Sequence, residues 1–401
     1  MIILFDLDDT LLENSMETFL PAYLYKLGEH LSNYISPKLL PTAIFTGTEF
    51  MVNNNDPSKT LEECFDQYFY PHIGYSKDHL YNHLKDFYNN KFPALAPFTK
   101  IIPAAQIQIN KMVDSHHKIV IATNPLFPKI AIEHRIEWAN LGLPLSDFEY
   151  ITNYEEMHFT KPKPEFIAEI LGKLGWPDEF TLMVGNEWDM DIVPAELLGI
   201  PSFFIGRPPE EINIPIHPLS SSGKLDQVVD WIENINSKKL LVEINNSKTS
   251  FLAILRATAA NIDSYQRLHF SNEVFTKRPK KDEWSLVEIF AHLADVDIEV
   301  NIPRLKLIEK ETNPFIEAAL TDQWAEERQY IRNNPIEVIQ KFVENRIQLI
   351  EKLEYFGPDL WKKPINHAIF GPTSTIELIK FITQHDRIHI SQIVKTINSI
   401  S

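Results

Sequence analysis

Short, nearly unbroken apolar runs recur through the first half of the chain: Ile2 to Phe5, Lys118 to Ala122, Phe180 to Val184 and Ser202 to Ile205, with a weaker one from Phe148 to Ile151. A strand with one wet face alternates apolar and polar residues. Runs without that alternation are buried on both faces, the pattern of a parallel sheet covered by helices. Helical segments fall between the runs, at Lys129 to Leu141 and Pro164 to Leu174. The expected architecture is therefore an open α/β sheet. From about 14 to 104 no strand pattern appears. Thr60-Leu-Glu-Glu63 has the form of a capping box, and Phe65 to Tyr70 and His79 to Phe87 read as aromatic-rich helix. This stretch is expected to be an α-helical cap inserted over one end of the sheet; the plainer alternative is a helical extension of the core.

A chain of 401 residues exceeds what one hydrophobic core usually supports, so two domains are expected. The first spans 1–237, with a core of 1–13 and 105–237, and closes on a helix from Leu225 to Ile235. Arg207 to Glu211, Ile214 to Pro218 and Ser220 to Gly223 read as irregular surface chain. The polar, lysine-rich stretch around 238–250 is the expected linker. From Phe251 to 401 the pattern is helical throughout, which suggests a bundle of four or five helices.

The formal charge of -17 argues against nucleic acid and against an anionic membrane, both of which need a basic face. Small anionic substrates stay open, because a bound cation reverses the field locally. Cys64 is the only cysteine, so no intrachain disulfide forms, which fits a reducing cytosol. Met1-Ile-Ile-Leu-Phe-Asp6 lacks the basic segment of a signal peptide. No stretch approaches the roughly 20 apolar residues of a membrane span. A cytoplasmic protein is expected.

Asp6-Leu-Asp-Asp-Thr10 follows the first run directly. Ligand sites in open α/β sheets lie outside the carboxyl ends of the strands. Crowded carboxylates repel one another, and a hard divalent cation with oxygen ligands relieves that repulsion. Alone, the cluster reads equally as a solvated turn with helix-capping aspartates. Three further stretches join it. The second run ends in Thr123-Asn124, and Thr160-Lys161-Pro-Lys-Pro164 sets a lysine just before a helix with proline in its first turn. Val184-Gly-Asn-Glu-Trp-Asp-Met-Asp191 follows another run. The joint pattern resembles the haloacid dehalogenase superfamily, specifically its aspartate-nucleophile phosphatases with a helical cap after the first motif.

The resemblance, over about 1–237, implies a Rossmann-like core and a role for each motif. Asp6 attacks phosphorus and forms an aspartyl-phosphate. Asp8 is general acid and then base, and its backbone carbonyl joins Asp6, Asn186 and Asp191 around Mg2+. Thr123 and Lys161 hold the transferred phosphoryl oxygens, Asn124 contacts substrate, and Thr10 supports the loop. The family's fourth motif usually opens Gly-Asp; here it is Gly185-Asn186, which lowers the charge offered to magnesium and leaves room for Glu187 or Asp189 to contribute. A dehalogenase of this superfamily lacks the acid–base aspartate that stands here at Asp8. A phosphomutase needs cap residues not recognisable in this sequence.

In the second domain, Trp284-Ser285-Leu-Val-Glu288 opens a helix with a capping box, and His292 shares an apolar stripe with Ile289 and Val296. Ser374-Thr-Ile-Glu377 opens the last helix, which carries His385 and His389 one turn apart on the stripe of Leu378, Ile382 and Ile393. Three inward imidazoles from two helices form a common metal shell, for zinc, nickel or iron; each histidine singly reads as a satisfied polar core residue. Residues 251 to 397 resemble the DinB-like superfamily through Arg278-Pro-Lys-Lys-Asp-Glu-Trp-Ser285, Ala291-His-Leu-Ala-Asp295, Phe370-Gly-Pro-Thr373 and Gln384-His-Asp-Arg-Ile-His-Ile-Ser-Gln392. The resemblance implies an all-α bundle with a three-histidine metal site; some members transfer sulfur from a low-molecular-weight thiol. The expected whole is a phosphatase for a small phosphorylated metabolite, fused to a metal-binding bundle that acts on or binds a small thiol. The alternatives are a bundle serving only homodimer formation or regulation, and a sensor that binds phosphate compounds without turnover.

Overall fold

The computed structural model describes residues 1–236 and 244–400. By internal contacts the chain divides into two compact units, residues 1–167 with 178–244 and residues 168–177 with 245–401. The expected boundary at 237 and the 238–243 part of the expected linker lie outside the described residues. The end of that expected linker is helical, because Ser247 caps the helix Lys248–Ser264.

The first unit is built on a six-stranded sheet ordered Tyr150–Ile151, Lys118–Ile121, Ile2–Phe5, Thr181–Gly185, Ser202–Ile205, Ser221–Gly223, with every neighbouring pair parallel. The central strand is flanked on both sides, Leu4 lying opposite Val120 and Met183. All of Ile2–Phe5 is buried, and this two-sided burial removes the polar alternation from the sequence. Ile3, Phe5, Ile121 and Val184 share one core cluster with Ile109, Ile132 and Trp231 from the covering helices. Two expectations need correction. Ser221–Gly223 is an edge strand rather than irregular chain, paired with Phe203 to Ile205. The weak run at 148–151 is a strand only over Tyr150–Ile151, since the turn Leu145–Asp147 runs into it.

The cap leaves and rejoins the sheet through a short antiparallel pair, Leu12–Glu13 with Lys100–Ile101. Between them lie the helices Met16–His30, Leu39–Asn53, Leu61–Ile73 and Lys77–Asp86, then tighter helical turns to Phe98. Thr60 and Glu63 form the expected capping box. Phe19, Tyr23, Leu27, Phe69, Phe87 and Phe92 give the cap a core of its own.

The second unit contains four long helical stretches: Lys248–Ser264, Leu286–Val296 continuing through a wide turn into Ile302–Lys310, Pro335–Tyr355, and Thr375–Ile400. They pack around Leu255, Leu305, Leu349, Ile379 and Ile382. The unit is not helical throughout, as the sequence pattern suggests. Pro364–His367 pairs antiparallel with Gly371–Ser374 and parallel with Phe315–Ile316. Among the described residues no helix is long and apolar enough to cross a membrane.

Arg346 is fully enclosed in the bundle; its Nε lies 2.6 Å from Asp297, and its other edge grips Asp386, the residue after His385. Arg346→Met is expected to destabilise the protein by about 3–5 kcal/mol, because two buried carboxylates lose their counter-ion. Urea denaturation of both proteins measures the difference.

Candidate functional site

The strand order reverses beside Ile2–Phe5, which makes its carboxyl end the topological switch point of the sheet. Asp6, the next residue, is buried there. Lys161 Nζ lies 2.6 Å from Asp6 Oδ1 and 2.6 Å from Asp191 Oδ1, joining the chain after two neighbouring strands through one ammonium. Burial pushes the Asp6 carboxyl up to about 7; Lys161 opposes this, and Asp191 and Asp8 add to it. Burial works against the charge on Lys161, but Asp191 and Asp6 hold its pKa above the ordinary lysine value.

Asp6, Asp8, Thr123, Asn124, Lys161 and Asp191 all line one cleft of about 220 Å³. Thr123 is held by the Thr152 hydroxyl, which donates to its carbonyl over 2.7 Å. The Asn124 side-chain oxygen accepts from the Lys161 backbone N–H at 3.2 Å, so this residue fixes the lysine loop as well as facing the cleft. Asp191 Oδ2 accepts from the Glu187 backbone N–H at 3.0 Å. A side chain at position 185 would overlap the Asp191 carboxylate, which is why glycine stands there. Asn186 is placed differently from its neighbours: its side-chain oxygen accepts from the buried Thr10 hydroxyl at 2.9 Å. Glu187 also lines the cleft, whereas Asp189 is exposed and does not.

Two residues that sequence reasoning missed position Asp8. Arg135 Nη1 donates to Asp8 Oδ2 at 2.6 Å and Asn14 Nδ2 to Asp8 Oδ1 at 2.7 Å, and both side chains are buried. Asn14 carries no sequence signal. Arg135 does: it stands with Ala131, Ile132, Ile136 and Ala139 on the buried stripe of its helix, where a charge needs a partner.

The donor set of the cleft is oxygen throughout, and its carboxylates outnumber its cations. That set suits a hard divalent ion. Asp6, the Asp8 carbonyl and Asp191 are the residues available to hold one, with Asn186 through its remaining lone pair.

In the second unit His292, His385 and His389 offer ring nitrogens within 4.8 Å of one another. The Nε2 atom of His385 lies 3.3 Å from that of His292 and 3.2 Å from that of His389. The His389 ring plane lies parallel to Trp284, and its Nδ1 sits 2.9 Å from Gln392 Oε1, an arrangement that leaves the Nε2 lone pair pointing inward. Burial pushes the pKa of His292 to about 3 and those of His385 and His389 to about 4. Neutral imidazoles with converging lone pairs are the donor state a transition metal takes.

Residues 254–393 match the model of the DinB superfamily. Among solved structures, a 2-haloacid dehalogenase from Pseudomonas syringae is 18% identical, covers 58% of this chain and 98% of its own, and has a TM-score of 0.43. A phosphatase of the same superfamily from Thermococcus onnurineus is 17% identical over 58% of this chain and 97% of its own, with a TM-score of 0.37. YfiT from Bacillus subtilis, a four-helix bundle of unusual topology, is 15% identical over 48% of this chain and 92% of its own, with a TM-score of 0.34. No curated protein matches. The model of the haloacid dehalogenase-like hydrolases matches residues 3–205, half of the chain, and this chain belongs to that family.

Proposed function

We propose that the first unit hydrolyses a small phosphate monoester with Mg2+ through an aspartyl-phosphate on Asp6. The observation that carries this is the buried Lys161 ammonium bridging Asp6 and Asp191 at 2.6 Å each, with Asp8 held beside them. An Asp6 carboxylate oxygen attacks phosphorus while the bond to the leaving alcohol breaks, and Asp8 gives that alcohol its proton. Water then attacks the phosphorus of the aspartyl-phosphate, Asp8 takes its proton, and inorganic phosphate leaves with Asp6 restored. Arg135 and Asn14 keep Asp8 in one orientation for both transfers. Lys161 and the Thr123 hydroxyl stand on the side of the phosphoryl oxygens. Bound Mg2+ would neutralise charge between the carboxylates and the substrate phosphate. Asp6, the Asp8 carbonyl, Asn186 and Asp191 are its proposed ligands.

Turnover of p-nitrophenyl phosphate with magnesium, followed by a panel of phosphorylated metabolites, tests the reading. Absence of turnover on every compound would leave the sensor alternative standing. Asn186→Asp is expected to lower the magnesium concentration for half-maximal activity by roughly tenfold, since one more anionic oxygen meets the ion. A magnesium titration of both proteins reads this. An unchanged half-saturation point would mean that the side chain stays with Thr10 and outside the metal shell.

For the second unit, the converging imidazoles support one transition metal held by His292, His385 and His389, with a position left for a low-molecular-weight thiol. Assaying thiol transfer with metal-loaded protein separates this from a bundle that only regulates or dimerises.

A further inference from the structure

The catalytic cleft accounts for the phosphate end of a substrate, while a second pocket of about 300 Å³ lies between the cap and the sheet core. Its walls carry the aromatic residues Tyr23, Phe65, Phe69, Tyr88 and Tyr154. Three of its polar groups have partners, and the Thr48, Tyr70 and Tyr154 hydroxyls also line it. The Tyr23 and Tyr88 hydroxyls lie 2.9 Å apart, and the Asp66 carboxylate pairs with Lys77 at 2.7 Å. No lysine, arginine or histidine lines the pocket. A second phosphate or a carboxylate would find no counter-charge there, and burying it unpaired is costly.

The two spaces share walls: Met16, Leu126 and Phe127 line both. Phe127 sits at the junction. The Arg135 guanidinium lies 4.9 Å from the centre of its ring, and the Tyr23 ring centre is 5.3 Å away inside the cap. Arg135 is the residue that holds Asp8, and Asp8 is the group proposed to protonate the departing alcohol. The aromatic pocket therefore adjoins the cleft on the side where Arg135 holds Asp8. At roughly 30 Å³ per water its volume equals about ten waters, room for an apolar body of about ten heavy atoms.

Resting on the phosphatase reading of this cleft, we infer that the cap pocket takes the leaving group, and that the substrate is the phosphate monoester of a hydrophobic alcohol, not of one carrying a second negative charge. Phosphoryl transfer is unchanged by this assignment; the alcohol's apolar body is buried in the pocket while its oxygen stays beside Asp8.

The test is a series of ethyl, butyl, hexyl and octyl phosphates, whose leaving-group acidities are nearly equal. In the unmutated protein kcat/KM is expected to rise about fourfold per added methylene until the pocket is full, the factor for burying one CH2. Equilibrium binding of the same esters to Asp6→Asn, which needs no turnover, is expected to tighten in parallel. Thr48 lines the cap pocket but not the cleft. Thr48→Trp is expected to flatten both series. If ethyl phosphate is hydrolysed and longer chains gain nothing, the pocket assignment falls and the phosphatase reading stands. If no ester is hydrolysed but octyl phosphate still binds Asp6→Asn far more tightly than ethyl phosphate, the reaction falls and the pocket assignment stands. A flat binding series overturns the pocket assignment whatever the turnover.

Discussion

Asp6→Asn is expected to lower phosphatase turnover by roughly four orders of magnitude or more, the scale on which removing a covalent nucleophile acts. An amide keeps the shape of the carboxylate but cannot form the phosphoryl-enzyme. The fold should survive the change. Lys161 keeps its second partner, Asp191, at 2.6 Å, so the ammonium is not left unpaired. Burial and the neighbouring carboxylates already disfavour the charge on Asp6, which is why its pKa stands at about 7. Replacing it with a neutral group of the same size should hold or raise the melting temperature in magnesium-free buffer. Turnover of p-nitrophenyl phosphate and thermal melting, measured on the same preparation, check both halves. A variant that melts normally and keeps more than a small fraction of the activity would move the nucleophile elsewhere, with Asp8 the first residue to examine.

The place of this cleft was legible in the sequence because it sits where the chain pattern is strongest. Strands buried on both faces leave unbroken apolar runs, and each run ends where the sheet ends. Asp6, Thr123 and the Gly185 to Asp191 stretch could thus be placed at one edge before any contact was known, and the structure brings Asp6, Thr123, Glu187 and Asp191 to one cleft. Lys161 follows no strand, and only its place among the other motifs marked it. Arg135 and Asn14 reach Asp8 from 127 and 6 residues away, and hydrogen bonds of this kind leave no periodic trace. The buried arginine was readable in part, as a charge on an apolar helical stripe, but its partner was not. The small sheet of the second unit was invisible for a different reason. Pro364–His367 and Gly371–Ser374 carry Pro, Gly, Asn and Ser where strands prefer β-branched and aromatic residues. Pairing with Phe315–Ile316, about fifty residues earlier, decides their conformation.

Removing His385 is expected to take the metal from the second unit altogether. The Nε2 atom of this histidine lies between the other two, 3.3 Å from His292 and 3.2 Å from His389. Without it, two imidazoles from different helices remain. If a structural zinc shell is worth 10–16 kcal/mol in all, losing one ligand should weaken binding on the order of a hundredfold or more. The full chain, offered zinc, nickel or iron in excess magnesium and then desalted, should carry one transition metal per chain, and His385→Ala close to none. Excess magnesium keeps the oxygen-lined cleft from being counted, because imidazole nitrogen and carboxylate oxygen sort these ions by ligand softness. His269, an exposed histidine of the same unit, supplies the control, and its alanine variant should retain the metal. Phosphatase turnover should be the same in all three proteins, since the proposed magnesium ligands all lie in the first unit. Loss of the metal together with an unchanged melting temperature in the metal-free state would show that His385 serves the ion rather than the bundle core. If the unmutated chain bound no stoichiometric metal, the three histidines would be polar core residues, kept neutral by their burial.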